Sequence, residues 1–148
     1  MAKINPYLNF NGSTEEAFNF YKSVFGGEFL VLQRFGNMPG CDEMPEGKQV
    51  SEADREKIMH IALPVGNGNV LMATDALESM GQNLTEGNNF SLSYSADGKE
   101  EAEQIFNGLS EGGKVEMPLA DAFWGSYFGM LQDKFGIRWM VSYDYNQN

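Results

Sequence analysis

Hydrophobic and polar positions along this chain alternate between two periods, and the whole alternation occurs twice. In "GSTEEAFNFYKSVFGG", Ala17, Phe20, Tyr21 and Val24 stand at i, i+3, i+4 and i+7, the spacing of one helix face. Ser13 and Glu16 have the spacing of a capping box, and Gly26-Gly27 supplies the stop. In "GKEEAEQIFNGLSEGG" the stripe returns as Ala102, Ile105, Phe106 and Leu109, followed by Gly112-Gly113. A strand-like segment precedes each helix, "INPYLNF" and "NNFSLSY", and another follows each glycine pair, "EFLVLQRF" and "KVEMPL". Each half then ends in two strands joined by a tight turn. The first pair is "IMHIALPV" and "VLMATD" around Gly66-Asn67-Gly68; the second is "SYFGMLQ" and "IRWMVSY" around "DKFG". The pattern predicts an α+β chain of two βαβββ modules, about 1–80 and 85–148, within one domain spanning 1–148.

Period-two alternation also assigns faces. One face of each sheet must cover its helix, and the other is left free. Leu8 and Phe10 are expected against the first helix, with Asn5, Tyr7 and Asn9 on the free face. Phe90, Leu92 and Tyr94 are expected against the second helix, with Asn89, Ser91 and Ser93 free. In the last strand Ile137, Trp139, Val141 and Tyr143 form the apolar face, and Arg138, Met140 and Ser142 the other. Closing "DKFG" with Asp133 opposite Gly136 sets Leu131, Gly129 and Tyr127 across from those three, so Tyr127 joins the free face. Asn, Tyr, Ser, Arg and Met together are too polar for a core and too apolar for a plain solvated surface, a mixture that suits a ligand cavity.

His60 is the single histidine. A two-residue Asn67-Gly68 turn sets it opposite Asp75, where a carboxylate could tune it as a base; a three-residue loop sets it opposite Thr74. A polar insertion, Gly36 to Lys57, distinguishes the first half and has the length of a lid or a solvated excursion, with a turn of helix in "SEADREK".

Composition narrows the classes of function. With 21 acidic against 10 basic residues the net charge is −11, which argues against nucleic-acid and anionic-membrane partners. No stretch reaches the roughly 20 apolar residues of a membrane span, and "MAKINPYLNF" lacks an apolar leader core. The lone Cys41 makes no internal disulfide and sits beside Asp42 and Glu43, which disfavour a thiolate. These features lead to an expected cytoplasmic protein.

The duplicated module resembles the vicinal oxygen chelate superfamily of glyoxalase I, extradiol dioxygenases and bleomycin-resistance proteins. The segments "PYLNFNGSTEEAFNFYKSVFGGE", "HIALPVGNGNVLMATD" and "FWGSYFGMLQDKFGIRWMV" look like its PhnB-like branch, which often carries a 3-demethylubiquinone 3-methyltransferase label. The resemblance implies a cup-shaped, incomplete barrel of mixed sheet with helices outside, and a homodimer. Metal-dependent members place a His or related ligand on each module's first strand and a carboxylate on its last. Aligned here, those places hold Asn5 and Asn89, then Met72 and Met140; a one-residue slip substitutes Pro6 and Phe90. Neutral amides and thioethers do not suit the divalent ions of that superfamily. The expectation is therefore no metal and no cofactor. No Gly-rich strand-to-helix turn of a Rossmann-type cofactor site is present either.

Three functions follow as expectations. The leading one is a metal-free small-molecule-binding protein whose cavity is lined by Asn5, Tyr7, Asn9, Asn89, Ser91, Tyr127, Arg138 and Met140, with Arg138 meeting an anionic group. The alternative is an enzyme of the vicinal oxygen chelate type that uses a non-standard ligand set or a His60–Asp75 acid/base pair. The third is an interaction module whose free faces are mainly a dimer interface.

Overall fold

A computed structural model describes residues 2–37 and 51–145. The centre of the insertion, with Cys41, lies outside the described residues. The chain divides into two compact units, Met1–Thr85 and Glu86–Asn148. The first runs β1 (Tyr7–Phe10), α1 (Thr14–Phe25), β2 (Val31–Arg34), α2 (Glu52–Arg55), β3 (Ile58–Val65) and β4 (Asn69–Asp75). The second runs β5 (Leu92–Ser95), α3 (Lys99–Ser110), β6 (Lys114–Asp121), β7 (Ser126–Gln132) and β8 (Arg138–Asp144). Each unit is a four-stranded mixed sheet, ordered β1-β4-β3-β2 and β5-β8-β7-β6, in which the first strand lies parallel to the last. The fold is thus α+β with the repeated βαβββ order, and neither sheet closes into a barrel.

Each long helix buries one stripe. On α3 this is Ala102, Ile105, Phe106 and Leu109, as their spacing predicts. On α1 it is Thr14, Ala17, Phe18 and Tyr21, rotated from the expected stripe so that Phe18 replaces Phe20 and Val24. Phe18 is fully buried in an edge contact with Tyr21, their ring centroids 5.5 Å apart. The Ser13 side chain makes no capping bond. The first turn is capped instead by Asp75 from the end of β4, whose Oδ1 accepts from the Gly12 and Thr14 N–H groups, both at 3.1 Å.

The sheets meet their helices through Leu8, Phe10, Ile61, Leu63, Leu71 and Ala73 in the first unit and Leu131, Trp139 and Val141 in the second. Strand β5 starts later than the hydrophobic pattern predicts, at Leu92, so alternation does not govern residues 89–91. Phe90 is accordingly 58% exposed and does not cover α3. No helix among the described residues is long and apolar enough to cross a membrane.

Gly129 lies directly under Phe106 of α3. A Cβ there would lie 2.7 Å from a ring carbon of Phe106 and 3.0 Å from the Leu119 backbone nitrogen. Gly129→Ala should lower stability by roughly 1–3 kcal/mol, as overpacking does. In urea unfolding the midpoint should fall at unchanged slope, and Phe106→Leu in the same chain should cost less than the two single changes added together.

Asp54 on α2 is buried, with Lys57 Nζ at 2.8 Å and Ser79 Oγ at 2.6 Å. The Lys57 hydrogen bond, then that of Ser79, holds its carboxyl below the ordinary value. Its contribution to stability is present above the unfolded-state value of about 4 and is lost as pH falls through the lower folded value. Asp54→Asn should therefore lower stability at pH 7 and flatten the stability–pH curve below about pH 4, measured by urea midpoints across the acid range.

Candidate functional site

The free face of the first unit is set by strand register. Tyr7 pairs with Met72 and Asn9 with Thr74, while Ala62 also pairs with Met72. The β3–β4 hairpin turns through three residues, since Val65 pairs with Asn69, and this register carries His60 opposite Thr74. Gly68 closes the turn at a φ of 82°, a conformation that glycine adopts without strain. His60 therefore shares its face with Tyr7, Asn9, Met72 and Thr74.

Two of these residues form a local constellation. The Tyr7 hydroxyl lies 3.3 Å from Nδ1 of His60, and the two ring planes are within 14° of parallel with centroids 5.7 Å apart. Burial raises the Tyr7 phenol above its ordinary value, and a hydrogen bond with Thr74 pulls the other way. Tyr7 remains 47% exposed, so its ring presents surface as well as a hydroxyl. Asn9 is exposed beside them. Asn5 is used differently: its Oδ1 accepts from the Val70 N–H at 3.1 Å, which pins the chain ahead of β1 to β4.

Asp75 is not part of this constellation. It points to the helix side of the sheet, 2% exposed, and its oxygens accept from Gly12 N–H, Thr14 N–H, the Thr14 hydroxyl at 2.6 Å and Ile58 N–H at 2.8 Å. The expected His60–Asp75 pair does not form, because the three-residue turn places the two side chains on opposite faces. Asp75 is a cap and a strand tie, and the partner of His60 is Tyr7.

The second unit corrects another expectation in the same way. Gln132 pairs with Arg138 and Leu131 with Trp139, one residue away from the register that an Asp133–Gly136 closure gives. Asp133 determines this. Its Oδ1 accepts from the N–H groups of Phe135 (2.8 Å) and Ile137 (3.0 Å), and its Oδ2 from the Trp139 indole at 2.9 Å. The shift moves Tyr127 to the helix side, where its hydroxyl donates to Glu103 at 3.0 Å and Lys99 lies 4.7 Å from its ring centroid. Burial, then the Glu103 bond, raises the Tyr127 phenol above its ordinary value. Tyr127 is thus a helix-to-sheet fastener.

In its place the free face gains Phe128 and Met130, opposite Ser142 and Met140, which sequence alternation assigned to neither face. Arg138 and Met140 do lie on this face, with Ser93 beside Met140. Arg138 donates to Glu116 at 2.7 Å, both side chains about a quarter exposed, so its charge is already matched within the unit. Asn89 is exposed and Ser91 half-buried, both ahead of β5 and outside its pairing.

The four places that carry metal ligands in related enzymes hold Asn5, Met72, Asn89 and Met140 here. Asn5 already spends its oxygen on Val70, and the set offers no anionic donor. Among the described residues no group of three or more His, Cys, Asp or Glu could hold a metal ion. The donor set therefore does not fit a hard or borderline divalent ion. A Rossmann-type cofactor fits no better. The β1–α1 turn has a single glycine, and the Gly12 and Thr14 N–H groups are already directed at Asp75.

These placements predict opposite behaviour for two residues. Asp75→Ala strands several buried N–H groups and should cost roughly 3 kcal/mol. His60→Ala, on a part-exposed face, should change stability by less than about 0.5 kcal/mol. Denaturant unfolding of the two variants measures both, and equal losses would contradict the assignment.

Comparison with known proteins agrees with this architecture. A family model described as 3-demethylubiquinone-9 3-methyltransferase matches residues 2–142. Protein YjdN of Escherichia coli (strain K12) is 31% identical over 144 residues, covering 94% of this chain and 93% of its own length. The crystal structure of PA1353 from Pseudomonas aeruginosa is 38% identical, with a TM-score of 0.83 over 97% of this chain and 98% of that one. A PhnB protein from Bacillus cereus is 30% identical, with a TM-score of 0.71 over 96% and 99% of the two chains. Solved glyoxalase/bleomycin-resistance proteins at 17% and 16% identity have TM-scores of 0.58, a likeness of fold alone. The chain belongs to the PhnB-like 3-demethylubiquinone-9 3-methyltransferase family, whose fold is that of the glyoxalase/bleomycin-resistance superfamily.

Proposed function

We propose that this protein binds a small organic molecule on the free face of its first unit, without the divalent metal of related enzymes. The observation that carries the reading is the Tyr7–His60 pair, 3.3 Å apart, on the sheet face opposite α1. A phenol and an imidazole each offer a flat apolar ring and a group that can donate or accept a hydrogen bond. Thr74, Asn9 and Met72 extend the patch with a hydroxyl, an amide and a thioether. Such a combination recognises a molecule that carries a few polar groups on an apolar frame. Arg138, matched by Glu116, adds no unpaired charge for an anion.

An enzymic reading is favoured by the same contact. His60 and Tyr7 are placed to pass a proton between Nδ1 and the phenol oxygen, and the relay would run through Tyr7 rather than a carboxylate. Methyl transfer finds no support in this geometry.

A fragment library screened by ligand-observed NMR, followed by calorimetry of the hits, should yield at least one saturable ligand. Tyr7→Phe and His60→Ala should each weaken it about tenfold or more, while Tyr127→Phe leaves it unchanged. Saturable ligands that ignore both first-unit changes would sink this placement of the site. Recovery of the ligand unaltered supports binding alone. Conversion by the native protein but not by His60→Ala replaces it with the enzymic reading.

A further inference from the structure

A row of methionines crosses the free face of the second unit. Register pairs Met117 of β6 with Met130 of β7, and Met130 with Met140 of β8. Directly paired residues of antiparallel strands share a face, with Cα atoms about 4.5–5.5 Å apart. Three thioethers therefore stand side by side, one on each of three consecutive strands. The irregularity between Val115 and Met117 sets Glu116 beside Met117 as an extra residue, and a second irregularity follows between Met117 and Ala120. Met117 is 47% exposed, and Met130 and Met140 are half-buried, so none of the three is locked inside the core.

The chemistry of this row is distinct from that of any other cluster in the unit. A thioether is a neutral, polarisable donor that selects soft ions and is a poor ligand for hard ones. Methionine has three rotatable side-chain bonds, so the outer two can lean toward the middle one. Arg138 on this face is matched by Glu116, so its charge does not stand alone against a bound cation; Lys114, opposite Gln132, lies in the neighbouring row. The chain's overall charge of −11 favours the approach of a cation.

We propose that Met117, Met130 and Met140 together bind one soft monovalent d10 cation, Cu(I) or Ag(I), through their three sulfur atoms. Coordination uses neutral lone pairs. No proton is released, no bond breaks and the oxidation state of the ion is unchanged. Affinity therefore stays level as the pH is lowered from 7 to 5.5, whereas imidazole and thiolate sites weaken because their ligands must first lose a proton. The proposal is independent of the ligand reading for the first unit.

The test uses full-length protein in a Cys41→Ser background, which removes the chain's one thiol. With methionine methyl groups labelled with carbon-13, silver nitrate is added in chloride-free buffer. The Met117, Met130 and Met140 methyl signals should shift together, saturate at one equivalent, and do so alike at pH 7 and pH 5.5. Met130→Leu, close to it in volume, should weaken binding at least tenfold, and Met140→Leu should do the same, with thermal unfolding showing that each variant is folded. Zinc should leave all three signals in place. Silver shifts spread over the other methionines without saturation, affinity unchanged in both folded leucine variants, or binding lost on acidification would each overturn the site.

Discussion

The carboxylate of Asp133 fixes the geometry on which the second unit depends. It gathers two backbone N–H groups of the turn and the Trp139 indole onto its two oxygens while itself 3% exposed. Leaving such buried donors unpaired would cost about 1–3 kcal/mol each. The turn is therefore held at three residues, and with it the register of β7 against β8. Register in turn decides which face every side chain of the two strands occupies. Asp75 exerts comparable control in the first unit from a different place, joining the start of α1 and the start of β3 to the end of β4. In each unit a buried aspartate thus ties the strands together, and the oxygens of both Asp75 and Asp133 are taken up by N–H and O–H donors.

Much of this was legible in the sequence, and the failures share a physical cause. The helices, the hairpins and the two βαβββ modules follow from apolar periods and glycine punctuation, because those signals are local. Faces on β7 were misassigned by one residue because hairpin loop length is decided by a side chain, Asp133, reaching back over its own turn. A clue was present. Gly136 as the third residue of the loop, at a φ of 91°, is the position that a three-residue hairpin reserves for glycine. Gly68 marks the first-unit hairpin likewise, and reading it would have separated His60 from Asp75. The cap on α1 was not legible, because Asp75 lies about sixty residues from the N–H groups it binds. With that cap supplied from β4, Thr14 is drawn inward and the buried stripe turns with it.

The corrections change the chemistry that the candidate residues can perform. Tyr127, Asp75 and Asn5 are each committed to holding elements together, and Arg138 is committed to Glu116. What remains on the first unit's face is a phenol and an imidazole, an amide, a hydroxyl and a thioether. The fold shared with glyoxalase/bleomycin-resistance proteins is thus kept while Asn5, Met72, Asn89 and Met140 offer no anionic side chain to balance a divalent charge, consistent with the independence of fold from function.

The two modules also show where a repeated fold is free to differ. On the helix side the constraints are severe: α3 leaves no room for a Cβ at Gly129, and Ala17 and Ala102 are both fully buried at corresponding points of the two helices. A change there is felt at once, because the interior is close-packed. On the opposite face every second residue is released from that demand. The first unit has used the freedom for a tyrosine, a histidine and a threonine, the second for three methionines and a matched ion pair. The alternation of a β-strand thus separates two kinds of information within a single segment. Within each strand one set of alternate positions packs against the helix and holds the module, and the other set is free to vary in chemistry without disturbing that packing.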